Sequence, residues 1–235
     1  MRLTLFTMSR IGLIDYGMGN LHSVQRALQR LDAQVQPVRC AADMVACDGL
    51  VLPGVGAFDP AMERLESSEL AGAIRGWCEN GGALLGICLG LQLLFEASDE
   101  GQRPGLGLLR GRVRALPRRA GHPIPHMGWE PLIAATTSPL LPAGCPEAWM
   151  YFVHSFAAQP RDPSCNTALV QFAGEPVTAA VWQGAIGACQ FHPEKSGQAG
   201  TDLLRRWLRW LADRPLPSCD QPREGVQPLD AKQQP

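Results

Sequence analysis

Short apolar runs punctuated by glycine dominate the first hundred residues. Ile11-Gly-Leu-Ile-Asp15 stops at the turn-forming Tyr16-Gly-Met-Gly-Asn20, and Leu21, Val24, Ala27, Leu28 and Leu31 then recur at helical spacing. This pattern predicts strand, loop and helix. Residues 35–39 and Gly49-Leu-Val-Leu-Pro53 predict two further strands, the second closing on the glycine-rich Pro53-Gly-Val-Gly56. A helix over 69–79 leads into the wholly apolar Ala83-Leu-Leu-Gly-Ile87, predicted as a buried strand, and then into a helix over 89–97. Alternating strands and helices with apolar strands predict an α/β class: a doubly wound, largely parallel central sheet with helices on both faces.

Beyond Gly101 the runs at 108–115, 150–156, 168–172, 178–182 and 185–191 are separated by Pro and Gly. They predict a mixed or antiparallel extension in the second half. The last helix carries Leu203, Leu204, Trp207, Leu208 and Leu211 on one face and Arg205, Arg206 and Arg209 on the other. Residues 214–235, rich in Pro and Gln, are expected to be a disordered tail. Met8 is a candidate start, with 1–7 an extension, because the first strand begins only at Ile11. Residues 8–213 are then expected to form one domain, which a chain of 235 residues allows.

A formal charge of −1 gives no reason to expect nucleic acid or a membrane surface as partner. The longest apolar run, 83–95, contains Gln92 and falls short of the roughly 18 residues that cross a bilayer. Residues 1–10 have only a very short apolar stretch and no small-residue cleavage site, so a secretory signal is not expected. Eight cysteines are scattered without a C-x-x-C pair, as expected of reduced thiols in a cytoplasmic protein.

Chemistry concentrates in two strings. Gly86-Ile-Cys88-Leu-Gly90 lies where a buried strand meets a helix, with glycines where a tight turn excludes side chains. A thiol there gains thiolate character from the helix start and from a histidine partner. An isolated cysteine is more often a core residue; the flanking glycines favour a nucleophile. The second string is His192-Pro-Glu194, following the apolar run 185–191. Residues two apart share one side of an extended strand, so Glu194 can orient His192 as the base for Cys88. Alone, this string is more often a surface turn. Pro53-Gly-Val-Gly56 ends the strand before the elbow, so its amides and that of Leu89 are candidate oxyanion donors; otherwise the loop is a plain turn. Gly17-Met-Gly19 lacks the third glycine of a dinucleotide loop, and Pro123 and Pro125 forbid the helix that would make His122 and His126 joint metal ligands. Cys189 is expected on the strand face opposite His192.

With these strings together, the chain resembles the class I (triad) glutamine amidotransferases. Asp15-Tyr-Gly-Met-Gly-Asn20, Pro125-His-Met-Gly-Trp129, Tyr151-Phe-Val-His-Ser155 and Gln190-Phe-His-Pro-Glu-Lys-Ser196 narrow the resemblance to the glutaminase-subunit family of imidazole glycerol phosphate synthases, over roughly 10–212. The resemblance implies a catalytic triad of Cys88, His192 and Glu194, and an oxyanion hole from the Val55 and Leu89 amides. L-glutamine would be held by Gln92, Glu100, Gly56, Ser155 and Phe156. It further implies no metal or organic cofactor, and a heterodimer with a (β/α)8-barrel cyclase that receives ammonia for histidine biosynthesis. Asn20, His126, Met127, Trp129 and Lys195 would face that partner; an ordinary exposed side chain is the rival reading, above all for Asn20 and Lys195. Glu130 stands where the family usually has Asn, and Phe156 where Tyr is common. Rival classes are the glutaminase of another amidotransferase such as anthranilate synthase, a redox or chaperone-like protein with an elbow cysteine, and a regulatory subunit with a dead site. The glycine loop is free enough to hold an amide wrongly oriented, so low activity of the isolated chain is expected.

Overall fold

A computed structural model of the chain describes residues 8–142 and 148–214. The expected extension 1–7 and nearly all of the expected tail lie outside the described residues, as do Cys145 and Cys219. The first half runs β1 (Arg10–Ile14), α1 (Leu21–Gln29), β2 (Gln34–Val38), β3 (Gly49–Gly54), α2 (Phe58–Ser67), α3 (Leu70–Glu79), β4 (Ala83–Cys88), α4 (Leu89–Leu93) and β5 (Phe95–Ser98). The second half runs β6 (Leu109–Ala115), β7 (His126–Pro131), β8 (Ile133–Ala134), β9 (Trp149–His154), β10 (Phe156–Pro160), β11 (Asn166–Phe172), β12 (Glu175–Gln183), β13 (Ile186–Cys189) and α5 (Gly197–Ala212).

The central sheet has eight strands in the order β2-β1-β3-β4-β13-β12-β11-β8. Its first five are mutually parallel and its last three antiparallel. Leu85 and Ile87 of β4 pack with Val24 and Leu28 of α1 and with Leu203 and Trp207 of α5. Leu84 of β4 packs with Phe58, Met62 and Leu65 of α2 and with Leu70 and Ile74 of α3. Alternate residues of one strand thus face two cores, each closed by its own helices, and the doubly wound expectation is met. Pro37 sits in β2, at the sheet edge, where a missing N–H costs no ladder bond. A three-stranded sheet β10-β6-β5 and a two-stranded ribbon β7-β9 complete the structure.

Three local expectations are corrected. The helix expected over 89–97 stops at Leu93, because the carbonyls of Leu93, Leu94 and Phe95 accept from Leu106, Leu109 and Gly107 rather than from later residues of a helix. Residues 95–98 instead form β5 beside β6. The run 150–156 is two strands that part at Ser155, β9 joining β7 and β10 joining β6. The run 185–191 is strand only over Ile186–Cys189, and it lies parallel to β4 on one side and antiparallel to β12 on the other, joining the parallel half of the sheet to the mixed extension expected.

Candidate active site

Cys88 is the last residue of β4 and the N-cap of α4, with φ 55° and ψ −112°. A positive φ is costly for a residue with a Cβ, and such strain persists only where the surroundings enforce it. The flanking glycines are part of that enforcement. A Cβ at Gly90 would lie 1.8 Å from the Leu52 carbonyl oxygen, and one at Gly86 would lie 3.0 Å from the Gly90 carbonyl oxygen. The elbow therefore packs backbone against backbone, holding Cys88 at the carboxyl ends of β3 and β4, where Gly54 is its register partner.

The glycine loop leaves β3 at that point. Tyr16 donates its hydroxyl to the Pro53 carbonyl at 3.0 Å, fixing the start of the loop, while Val55 is exposed and Gly56 adopts φ +106°. Burial holds the Tyr16 hydroxyl well above its ordinary range, and the neighbouring Cys88 charge adds to this. Leu89 opens α4, and the first amides of a helix have no acceptor within it.

His192 and Glu194 meet, with Nδ1 2.8 Å from Oε1, and both side chains are almost wholly buried. They do so through a different local structure from the extended strand expected. His192 caps the 3-10 turn Pro193–Lys195, and the turn brings the carboxylate back onto the ring. His192 N–H donates to the Tyr151 carbonyl at 3.0 Å, and the Ser196 hydroxyl donates to the His192 carbonyl at 2.6 Å while accepting from Tyr151 N–H. The histidine is thus tied to β9. Its Nε2 is buried and lies outside hydrogen-bonding geometry with any group, yet close enough to Cys88 for the two to couple. Burial works against the imidazolium, but its polar interaction with Cys88, its hydrogen bond to Glu194 and the charges of both outweigh it and raise His192 to about 9.

Gln92 is buried on α4 and donates to the Phe156 carbonyl. Glu100 accepts from Phe58 N–H, the first amide of α2, at 3.0 Å; burial raises its pKa against that bond. The Ser155 carbonyl accepts from Leu116 N–H, and the Phe156 carbonyl from Gln92 and His154. On the ribbon, Met127 and Trp129 are exposed, whereas His126 is buried, stacked on Phe152 and 3.2 Å from His154. Asn20 accepts from Ser23 N–H and caps α1, and Lys195 is exposed. Cys189 is fully buried, with its thiol on the Gly86 and Phe191 carbonyls, and burial raises its pKa strongly. Two residues escaped the motif reading: Gln190, wholly buried with Nε2 3.9 Å from the Cys88 sulfur, and Ser196. Both stand inside the string around His192, but only the three-dimensional bonding marks them.

A family model, described as glutamine amidotransferase class-I, matches residues 12–210. The chain belongs to the class-I glutamine amidotransferases. It is 56% identical, over 89% of its length and 99% of the relative's, to a protein of Prochlorococcus marinus (strain MIT 9313) named imidazole glycerol phosphate synthase subunit HisH 2. It is 55% identical, over 86% of its length and 94% of the relative's, to the HisH subunit of Synechococcus sp. (strain CC9605). Within the class, the chain is a member of this HisH subunit family. In fold it resembles a solved glutamine amidotransferase (TM-score 0.67, 22% identity, 86% of this chain and 98% of that one). It also resembles PurLQS from Thermotoga maritima (TM-score 0.68, 20% identity, 87% and 99%).

Proposed function

We propose that residues 8–213 form a glutaminase domain that hydrolyses L-glutamine and hands the ammonia to a (β/α)8-barrel cyclase subunit of imidazole glycerol phosphate synthase in the cytoplasm. The observation that carries this reading is the strained Cys88 elbow with the buried His192–Glu194 pair behind it. Cys88 passes its proton to His192 Nε2, and the thiolate attacks the side-chain amide carbon of glutamine. Amides of Val55 and Leu89 bind the oxyanion. His192 then gives its proton to the departing ammonia, leaving a γ-glutamyl thioester on Cys88. Water, deprotonated by His192, attacks the thioester; glutamate leaves and the thiol is restored. Glu194 keeps the proton-accepting nitrogen of His192 turned to the sulfur.

Gln92, Glu100, Gly56, Ser155 and Phe156 surround the amino-acid end of the substrate in this reading. Released ammonia is mostly protonated at neutral pH and unreactive as a nucleophile, so it is passed on before meeting bulk water. The exposed apolar Met127, Trp129 and Val55 are suited to cover by the cyclase, which Asn20 and the exposed Lys195 would also meet, whereas the buried His126 would act from behind that surface. The test is labelling with a glutamine-like diazoketone. Cys88 should be modified stoichiometrically and protected by glutamine; modification of another cysteine, or no protection, refutes the proposal.

A further inference from the structure

Two buried carboxamides link the Phe156 carbonyl to the Cys88 sulfur, and their bonding dictates which end of each points where. Gln92 Nε2 lies 3.0 Å from the Phe156 carbonyl oxygen and 3.0 Å from Gln190 Oε1. The carbonyl only accepts, so Gln92 must turn its amino group toward it. That same amino group then requires the oxygen end of Gln190. The amino end of Gln190 is left 3.9 Å from the Cys88 sulfur. Reversing Gln190 would set two donors against each other at Gln92 and an oxygen lone pair against the thiolate. Neither reversal has water to compensate it, because Gln190 is 0% and Gln92 5% exposed. The backbone is held as firmly, since Gln190 N–H donates to the Ala179 carbonyl of β12 at 2.8 Å.

The titratable groups coupled to the sulfur are His192 from the turn after β13, Cys189 at the end of β13, and Tyr16 from the loop after β1. Glu194 acts behind His192. Gln190 differs from all of them: it is a donor that never titrates. We propose that Gln190 is a further catalytic residue, donating an N–H to the Cys88 thiolate, and that Gln92 positions it from the Phe156 carbonyl. A donor to the charged form favours that form. The same bond serves twice, on the attacking thiolate and on the thiolate that leaves when water opens the thioester.

This inference rests on Cys88 being the nucleophile, and the experiment separates the two. The full chain is alkylated with iodoacetamide across a pH series, the Cys88 peptide is quantified by mass spectrometry, and each reaction is repeated with glutamine present. In Gln190→Met, which removes the donor at similar volume, the alkylation midpoint of Cys88 should move up by about one pH unit, while the high-pH rate and glutamine protection persist. In Gln190→Glu, where a carboxylate replaces the donor, it should move further in the same direction. An unchanged midpoint in folded, glutamine-protected variants overturns the role of Gln190. Absence of glutamine protection in the unsubstituted protein overturns the nucleophile assignment instead. Should the variants not fold, the side-chain amide signals of Gln190 in 15N-glutamine-labelled unsubstituted protein should titrate with the Cys88 midpoint. Signals that stay fixed through that midpoint overturn the inference.

Discussion

Replacing His154 with glutamine should change how stability depends on acid by an amount the structure sets. His154 donates from Nδ1 to the Phe156 carbonyl, and burial with the nearby charges of His126 and His192 lowers its pKa from 6.5 to about 4. A histidine held neutral in the fold contributes stability that is present above its unfolded pKa and lost as pH falls from 6.5 toward 4. The full contribution is about 3 kcal/mol, and about 2 kcal/mol of it is lost between pH 8 and pH 5. His192 runs the other way. Raised to about 9, it contributes fully below 6.5 and loses that contribution as pH rises through 9. The unsubstituted protein alone therefore shows a near cancellation over this range, whereas His154→Gln removes one of the two opposing slopes. Urea unfolding followed by tryptophan fluorescence at pH 8 and pH 5 measures the gap between the two proteins. The gap should shrink by about 2 kcal/mol on acidification. A gap equal at both pH values would refute the neutral, buried assignment of His154.

Three further outcomes are expected. Gly90→Ala would drive a methyl into the Leu52 carbonyl, where only backbone can yield, so the thermal melt should report a loss of about 3 kcal/mol or more together with loss of turnover. Glu194→Gln leaves the ring without the carboxylate 2.8 Å from Nδ1, and steady-state glutaminase assays should find kcat reduced on the order of 10³-fold with the fold intact by circular dichroism. Trp129→Ala, at a position 49% exposed, should leave the melting temperature unchanged while weakening association with purified cyclase about tenfold or more by calorimetry.

Strands β1, β3 and β4 were legible as short, dominantly apolar runs, and helix α5 by apolar residues recurring at helical spacing. The elbow was legible because Gly86 and Gly90 are demanded by contacts of 3.0 and 1.8 Å, so the spacing itself carries the geometry. Helix α2 was not among the expected elements, since Pro60 breaks its apolar pattern close behind the glycine loop. In fact Pro60 occupies the first turn, where no helical N–H is required of it. Strand β7 was hidden by Pro125, Gly128 and Pro131 and exists through its pairing with β9, a long-range event no local pattern encodes. The pairing of His192 with Glu194 was anticipated, but its cause is a 3-10 turn and not strand alternation. Gln190 and Ser196 stand in the string that carried the resemblance, but nothing local marks what they bond, since partners lie 98–102 and 45 residues away.

In the proposed function Cys88 generates the ammonia and the partner consumes it. Synthesis by the complex of this chain with a purified cyclase subunit should be measured with glutamine and with ammonium salt as nitrogen source, before and after Cys88→Ala. The account predicts that the substitution abolishes glutamine-dependent synthesis and leaves ammonia-dependent synthesis intact, with the unsubstituted chain hydrolysing glutamine slowly until the cyclase and its ligand are added. Glutamine hydrolysis persisting in the Cys88→Ala complex would contradict it.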